Sequence, residues 1–356
     1  MQLGIIGLPQ SGKTTVYKAL TGADIPTEMS TGQMEVHTAV VDVPDPRVEK
    51  LCEMYKPKKI VRAKVTYADI AGLDGTAGRA GLPGVMINQL AQMDGFLHVV
   101  RQFENASVPH LAEKIDPVRD ILTMDTDFIL NDLLMVERRL EKLREEHRRG
   151  VSRPRDVIQS EIDLFERLET MLNAEKPLRH YTFTPEEDKI LSSFGFLSRK
   201  PQIIVFNQSE DQAQLEYSSP HPHTTVVSLP AKLELDIMAL EPDDAAMFME
   251  EYGVSELGMS RLIKVSYDLL NVHSFFTAGE KEVHVWTLRK GSNAREAAGT
   301  IHSDMEKGFI RAEVISFDDL VTYGSTAEAR NHGRLRVEGK NYIIEDGDII
   351  EIRFNI

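Results

Sequence analysis

Apolar residues gather in short runs at 3–6, 36–43, 61–70, 96–100, 203–206 and 225–229. Several runs are apolar on both faces, the pattern of strands buried on both sides in a mostly parallel sheet. Stretches with helical spacing lie between them. Strand and helix in alternation predict a doubly wound α/β layer.

The pattern changes between 127 and 199. Ile129, Leu133, Val136, Leu140 and Leu143 fall 4, 3, 4 and 3 apart, and a second seam runs through Ile158, Ile162, Phe165, Leu168 and Leu172. Such seams bury one stripe of a helix against a neighbour. Gly150 and Pro154 stand between them, so the spacing predicts an antiparallel helical hairpin inserted into the α/β domain. From 271 onward the character shifts again. A strand is expected at 282–288, and a helix at 293–307 with Ala294, Ala297, Ala298, Ile301 and Met305 on one side. The segments 341–345 and 349–354 read as a hairpin about Asp346-Gly347-Asp348. The expected domains are therefore 1–126 with 200–270, an insert at 127–199, and a small α+β domain at 271–356.

Charge adds a local contrast. The net charge of −15 argues against attraction of the whole surface to nucleic acid. Yet eight basic residues crowd 138–155, led by Arg138, Arg139, Arg148 and Arg149, against three acidic ones. The stretch 232–261 reverses this, with eight acids against Lys232 and Arg261. The one cysteine, Cys52, cannot form an internal disulfide, which fits a cytoplasmic setting. The first fifteen residues lack a basic leader, and no apolar run approaches the roughly 18–20 residues of a membrane span.

The strongest chemical signal is Gly7-Leu8-Pro9-Gln10-Ser11-Gly12-Lys13-Thr14, a G-x-x-x-x-G-K-[ST] phosphate loop between a strand and a helix. Gly7 and Gly12 allow backbone angles and close approach that a β-carbon would block. Amides of Gln10, Ser11, Gly12, Lys13, Thr14 and Thr15 would face phosphate oxygens at a helix N-terminus. The Lys13 ammonium would reach the β- and γ-phosphates, and the Thr14 hydroxyl would ligate Mg²⁺.

Ligands of open α/β sheets bind beyond the carboxyl ends of the strands. Asp69-Ile70-Ala71-Gly72 ends one strand run, so Asp69 could hold Mg²⁺ through water and the Gly72 amide could sense the γ-phosphate. Asn207-Gln208-Ser209-Glu210 ends another, where a GTPase carries N-K-x-D. The lysine is absent and the carboxylate is longer, which weakens guanine reading and points to ATP over GTP. Leu73 stands where Ras-like enzymes place a water-orienting glutamine, so slow intrinsic hydrolysis is expected. Two alternatives share these motifs, a GTP-preferring enzyme and a nucleotide-gated adaptor with negligible hydrolysis.

Val43-Pro-Asp-Pro-Arg47, Lys56-Pro-Lys-Lys-Ile60, Asp69-Ile-Ala-Gly-Leu73, His98-Val-Val-Arg101, Asn207-x-x-Glu210, Phe275-Phe-Thr-Ala-Gly279 and Glu306-Lys-Gly-Phe-Ile-Arg-Ala-Glu313 together resemble the YchF/Obg-like ATPases nearly end to end. The resemblance implies a P-loop ATPase of the translation-factor class, with a helical insert and a C-terminal TGS domain of β-grasp fold. It places Asn207 and Glu210 in an altered base-recognition motif and Ala231 in the last base-contacting loop. It implies a ribosome or RNA partner, for which the Arg138, Arg139, Arg148 and Arg149 region is the candidate surface. It assigns His110 to a mobile loop that helps hydrolysis. Three departures stand out. The family's N-V-G-K-S is Gln10-Ser11-Gly12-Lys13-Thr14 here, which puts assistance by a monovalent cation in doubt. The metal-binding switch threonine falls on Gln33, with Thr31 close by. The neighbouring switch cysteine falls on Gly32.

Overall fold

The computed structural model describes residues 1–23, 36–70, 82–105, 108, 114–150, 153–213, 215–251 and 256–355. Strands run at β1 (Gln2–Ile6), β2 (Val36–Asp42), β3 (Lys59–Val61), β4 (Lys64–Ile70), β5 (Gly95–Arg101), β6 (Gln202–Asn207), β7 (Thr224–Leu229), β8 (Val272–Ala278), β9 (Glu282–Arg289), β10 (Phe309–Ser316), β11 (Arg336–Glu338) and β12 (Asp348–Phe354). The helices that concern the site and core are α1 (Lys13–Thr21), α2 (Pro46–Tyr55), α3 (Gly84–Ala91), α4 (Pro117–Arg149), α5 (Arg155–Asn173), α6 (Pro185–Leu191), α7 (Ala231–Met238), α8 (Pro242–Glu251), α9 (Gly258–Leu269), α10 (Ala294–Ile301) and α11 (Ser303–Lys307). No helix among the described residues is long and apolar enough to cross a membrane.

The chain divides into two compact units, Met1–Val40 with Thr66–Leu262, and Val41–Val65 with Ile263–Ile356. The first carries a sheet of order β2-β4-β1-β5-β6-β7. β4, β1, β5, β6 and β7 are parallel neighbours, in a register that sets Ile5 beside Asp69, Arg101 beside Asn207 and Asn207 beside Leu229. Every residue of β5 and β6 is buried, as expected for strands with helices on both faces. Met86 and Leu90 of α3 and Met124 and Phe128 of α4 pack with Ile6, Ala68 and Ile70 of the sheet. These findings bear out the doubly wound α/β expectation.

α4 is one continuous helix of 33 residues. Asp116 caps it by accepting from the Arg119 amide, Pro117 sits in its first turn, and Gly150 ends it at φ 67°. Its first half lies on the sheet, and its second half pairs with α5. Val136, Leu140, Leu143, Ile158, Phe165, Leu168 and Leu172 are almost fully buried there with Leu191 of α6. Each such side chain contributes about 1.5–3 kcal/mol through burial. The predicted seams are therefore the hairpin's core. Two buried carboxylates of α4 hold the returning chain. Asp132 accepts from the Leu197 and Ser198 amides at 2.9 and 2.7 Å, and Asp125 takes both of its bonds from Arg179 at 2.6 Å.

The second unit carries a sheet of order β11-β10-β12-β8-β9-β3. β12 runs antiparallel to β10 and parallel to β8. Both of its edges are thus taken, and the hairpin expected between 341–345 and 349–354 does not form. Residues 341–345 cross instead as a loop, in which Ile344 enters the core with Phe275, Leu288, Ala297 and Ile350 and Ile343 bridges Asn293. The helix expected at 293–307 is broken at His302, whose φ of −164° is extended. Asn293 and Glu296 form a capping box at the start of α10.

The segment 41–65 supplies this unit with α2 and with edge strand β3, which pairs with β9 from Lys59↔Glu282 to Val61↔His284. Arg47 anchors it. The guanidinium bonds Asp45 and Asp346 at 2.8 Å each and lies 5.0 Å from the centre of the Phe276 ring.

Candidate nucleotide-binding site

The carboxyl ends of β1, β4, β5, β6 and β7 all open on one edge of the first sheet. β1 leads into the phosphate loop, whose backbone explains its composition. Gly12, the N-cap of α1, has φ 93°, and a β-carbon there would lie 2.2 Å from the Asn207 Nδ2 atom. A β-carbon on Gly7, at φ 153°, would lie 2.3 Å from the Val99 carbonyl oxygen. Neither position tolerates a side chain. Gln10 adopts a left-handed φ of 62°, a conformation uncommon outside glycine.

The side chains converge on the loop. Lys13 is buried, and its ammonium donates to the Gly7 and Leu8 carbonyls at 3.1 and 3.0 Å. The Thr14 hydroxyl meets the buried Asp69 carboxylate at 3.3 Å. Asp69 stands near the end of β4 and Thr14 in the first turn of α1. The buried Ser11 hydroxyl has no hydrogen-bond partner among the described residues. Thr15 is half-buried in the first turn of α1.

Asn207 joins three loops. Its Nδ2 donates to the Ser11 carbonyl at 3.1 Å, and its Oδ1 accepts from the Ala231 amide at 3.3 Å. Its own carbonyl accepts from the amides of Gln102 and Phe103 at 2.9 and 3.1 Å. Ala231 is therefore fixed at the start of α7 beside the phosphate loop. Gln208 turns inward, its Nε2 donating to the Gln212 carbonyl at 3.2 Å. Glu210 is exposed in the following turn.

Two further residues stand at this site, Arg101, which the motif at 98–101 contains without a role, and Phe103, which no motif marks. The Phe103 ring comes within 3.7 Å of the point that a β-carbon on Gly12 would occupy, and the Arg101 guanidinium lies 4.5 Å from the ring centre. Their position at and just past the end of β5 was the available signal. Behind the loop, His98 of β5 is fully buried and bonds Gln202 at 2.8 Å. Burial holds its imidazole down at about 4, although Asp125 pulls the other way. Gly72, Leu73, Thr31, Gly32, Gln33 and His110 lie outside the described residues.

On the hairpin, Arg138, Lys142, Arg148, Arg149 and Arg155 are exposed. Arg139 differs, because it pairs with the buried Glu161, which Arg153 also holds at 2.5 Å. Glu161's carboxyl stays below its ordinary range because these guanidinium bonds outweigh its burial.

Comparison with known proteins matches this arrangement over the whole chain. The family model YchF-GTPase_C, described as a protein of unknown function (DUF933), matches residues 272–355. The chain is 37% identical over 365 residues to "Ribosome-binding ATPase YchF" of Bacillus subtilis, covering 99% of each chain. It is 36% identical to the Haemophilus influenzae protein of the same description, again over 99% of each. It is 33% identical to "Obg-like ATPase 1" of Oryza sativa subsp. japonica, covering 100% of this chain and 92% of that one. Among solved structures it resembles the Schizosaccharomyces pombe YchF GTPase with a TM-score of 0.86 at 30% identity, covering 99% of this chain and 97% of that one.

Proposed function

The chain belongs to the YchF family of P-loop NTPases, and we propose that it is a Mg²⁺-dependent, ATP-preferring switch ATPase that works on the ribosome. The observation that carries this reading is the Asn207 junction, whose side-chain amide joins the phosphate loop to the Ala231 loop and whose backbone carbonyl holds the Phe103 amide.

In this reading the loop amides from Gln10 to Thr15 face the phosphates. The Lys13 ammonium exchanges the Gly7 and Leu8 carbonyls for phosphate oxygens and offsets the charge that develops as the terminal phosphoryl group leaves. Thr14 and Asp69 offer the hard oxygens that Mg²⁺ prefers, and the Ser11 hydroxyl is a further unspent donor. The ion, when bound, supplies Lewis-acid stabilisation of phosphate charge. The purine rests against Phe103, with Asn207 and Ala231 fixing the pocket wall and Glu210 at its mouth. The inward-turned Gln208 leaves that wall without the lysine typical of guanine readers. Gly72 and His110 are assigned to the γ-phosphate side, with Gln33 or Thr31 completing the metal shell. Leu73 cannot orient water, so unstimulated turnover is slow.

The C-terminal residues 271–356 are assigned as the TGS-like β-grasp domain. Ribosome or RNA contact is assigned to the hairpin surface bearing Arg138, Arg148 and Arg149. Arg139 is committed to Glu161 and serves the hairpin's own structure. The test measures single-turnover phosphate release from MgATP with and without ribosomes, alongside salt-dependent co-sedimentation. Ribosome-stimulated release, abolished by Lys13→Ala, is expected. Charge reversal at Arg138, Arg148 and Arg149 should weaken co-sedimentation and flatten its salt dependence. Undetectable release in every condition would favour a nucleotide-gated adaptor.

A further inference from the structure

Just past the phosphate loop, the carboxyl end of β5 buries a cation, Arg101. Arg101 is 3% exposed, and among the described residues no carboxylate pairs with it. Its Nε donates to the Phe103 carbonyl at 3.2 Å and its Nη2 to the Val108 carbonyl at 2.7 Å. Its Nη1 is buried and has no hydrogen-bond partner among the described residues. Burying a guanidinium in this way is costly, and burial accordingly lowers its pKa.

The three contacts share one object. Both carbonyls belong to the loop that follows β5, and the guanidinium plane covers the Phe103 ring at 4.5 Å from its centre. The Phe103 backbone is already fixed by the hydrogen bond that its N–H donates to the Asn207 carbonyl. Arg101 adds contacts to the Phe103 ring and carbonyl and to the Val108 carbonyl. Phe103 is only half-buried.

We propose that Arg101 is a positioning residue for the purine, holding Phe103 as a stacking platform beside the phosphate loop and polarising its ring. The proposal rests on the nucleotide reading above. A cation on one face draws electron density from the ring and favours an electron-rich base on the other. Lysine cannot replace it, because one ammonium cannot grip two separated carbonyls and cover the ring as a planar fork does.

The test titrates the full chain with MgATP and, separately, with magnesium-complexed inorganic tripolyphosphate, which carries the phosphates without a base. Arg101→Lys is expected to weaken MgATP binding about tenfold while leaving tripolyphosphate unchanged. Phe103→Leu, which leaves Arg101 and its carbonyl bonds in place, should show the same split, and it serves if Arg101→Lys does not fold. The double variant should lose no more than either single one. Equal weakening of both ligands by Arg101→Lys would overturn the proposal, since Arg101 would then act through phosphate. Additive losses in the double variant, or no loss in either single variant, would also overturn it. Wild-type protein that binds MgATP no more tightly than tripolyphosphate would instead sink the base-pocket reading itself.

Discussion

The side-chain amide of Asn207 and the carbonyl of Ser11, 196 positions apart in sequence, meet at 3.1 Å. One residue thereby holds the phosphate loop against the end of β6, and its second side-chain atom holds the Ala231 amide. Asn207→Ala leaves both of those buried groups without a partner. It should cost about 2–6 kcal/mol of stability, since each of the two orphaned buried polar groups costs about 1–3 kcal/mol. It should also weaken MgATP binding at least tenfold. Denaturant unfolding without nucleotide and titration with nucleotide check the two parts separately.

Gly12→Ala drives a β-carbon to within 2.2 Å of that same amide, at a φ of 93°. Gly150→Ala makes a useful contrast, because Gly150 has a left-handed φ of 67° but, among the described residues, no atom within 4 Å of its missing β-carbon. Both substitutions should lower stability by about 1–2 kcal/mol through backbone strain. Only Gly12→Ala should also abolish nucleotide binding, as read by calorimetry on folded protein.

His98 supplies a pH dependence. Its imidazole titrates at about 4 in the folded protein against 6.5 ordinarily. The folded state therefore favours neutral His98, so its contribution is complete above about pH 6.5. It is lost as pH falls from there toward 4, a difference of about 3 kcal/mol. His98→Gln should remove that slope. Stability measured at several pH values between 4 and 7 for both proteins gives the difference curve, and parallel curves would show that His98 titrates alike in the folded and unfolded states.

Local features were legible from sequence, and long-range ones were not. The phosphate loop is contiguous, and its glycines and lysine declare themselves by spacing alone. The hairpin seams are legible because helical packing repeats every three or four residues, as Val136, Leu140 and Leu143 do. By contrast, β3 is three residues long and joins a sheet whose other strands lie more than 200 positions later. The Arg47–Asp346 bond that accompanies it leaves no local trace. Residues 341–345 alternate like a strand, but β10 and β8 already occupy both edges of β12. Phe103 is a single aromatic in a polar loop, and only tertiary structure brings it to Gly12.

The central claim is that this pocket takes a purine triphosphate and prefers adenine. Calorimetric titration of the folded protein with MgATP and with MgGTP, repeated on Gln208→Lys/Glu210→Asp, tests it most directly. The account predicts ATP bound at least tenfold more tightly by the natural sequence, with the preference moved toward GTP in the variant. Equal affinities in the natural protein, or no heat with either nucleotide, would contradict it.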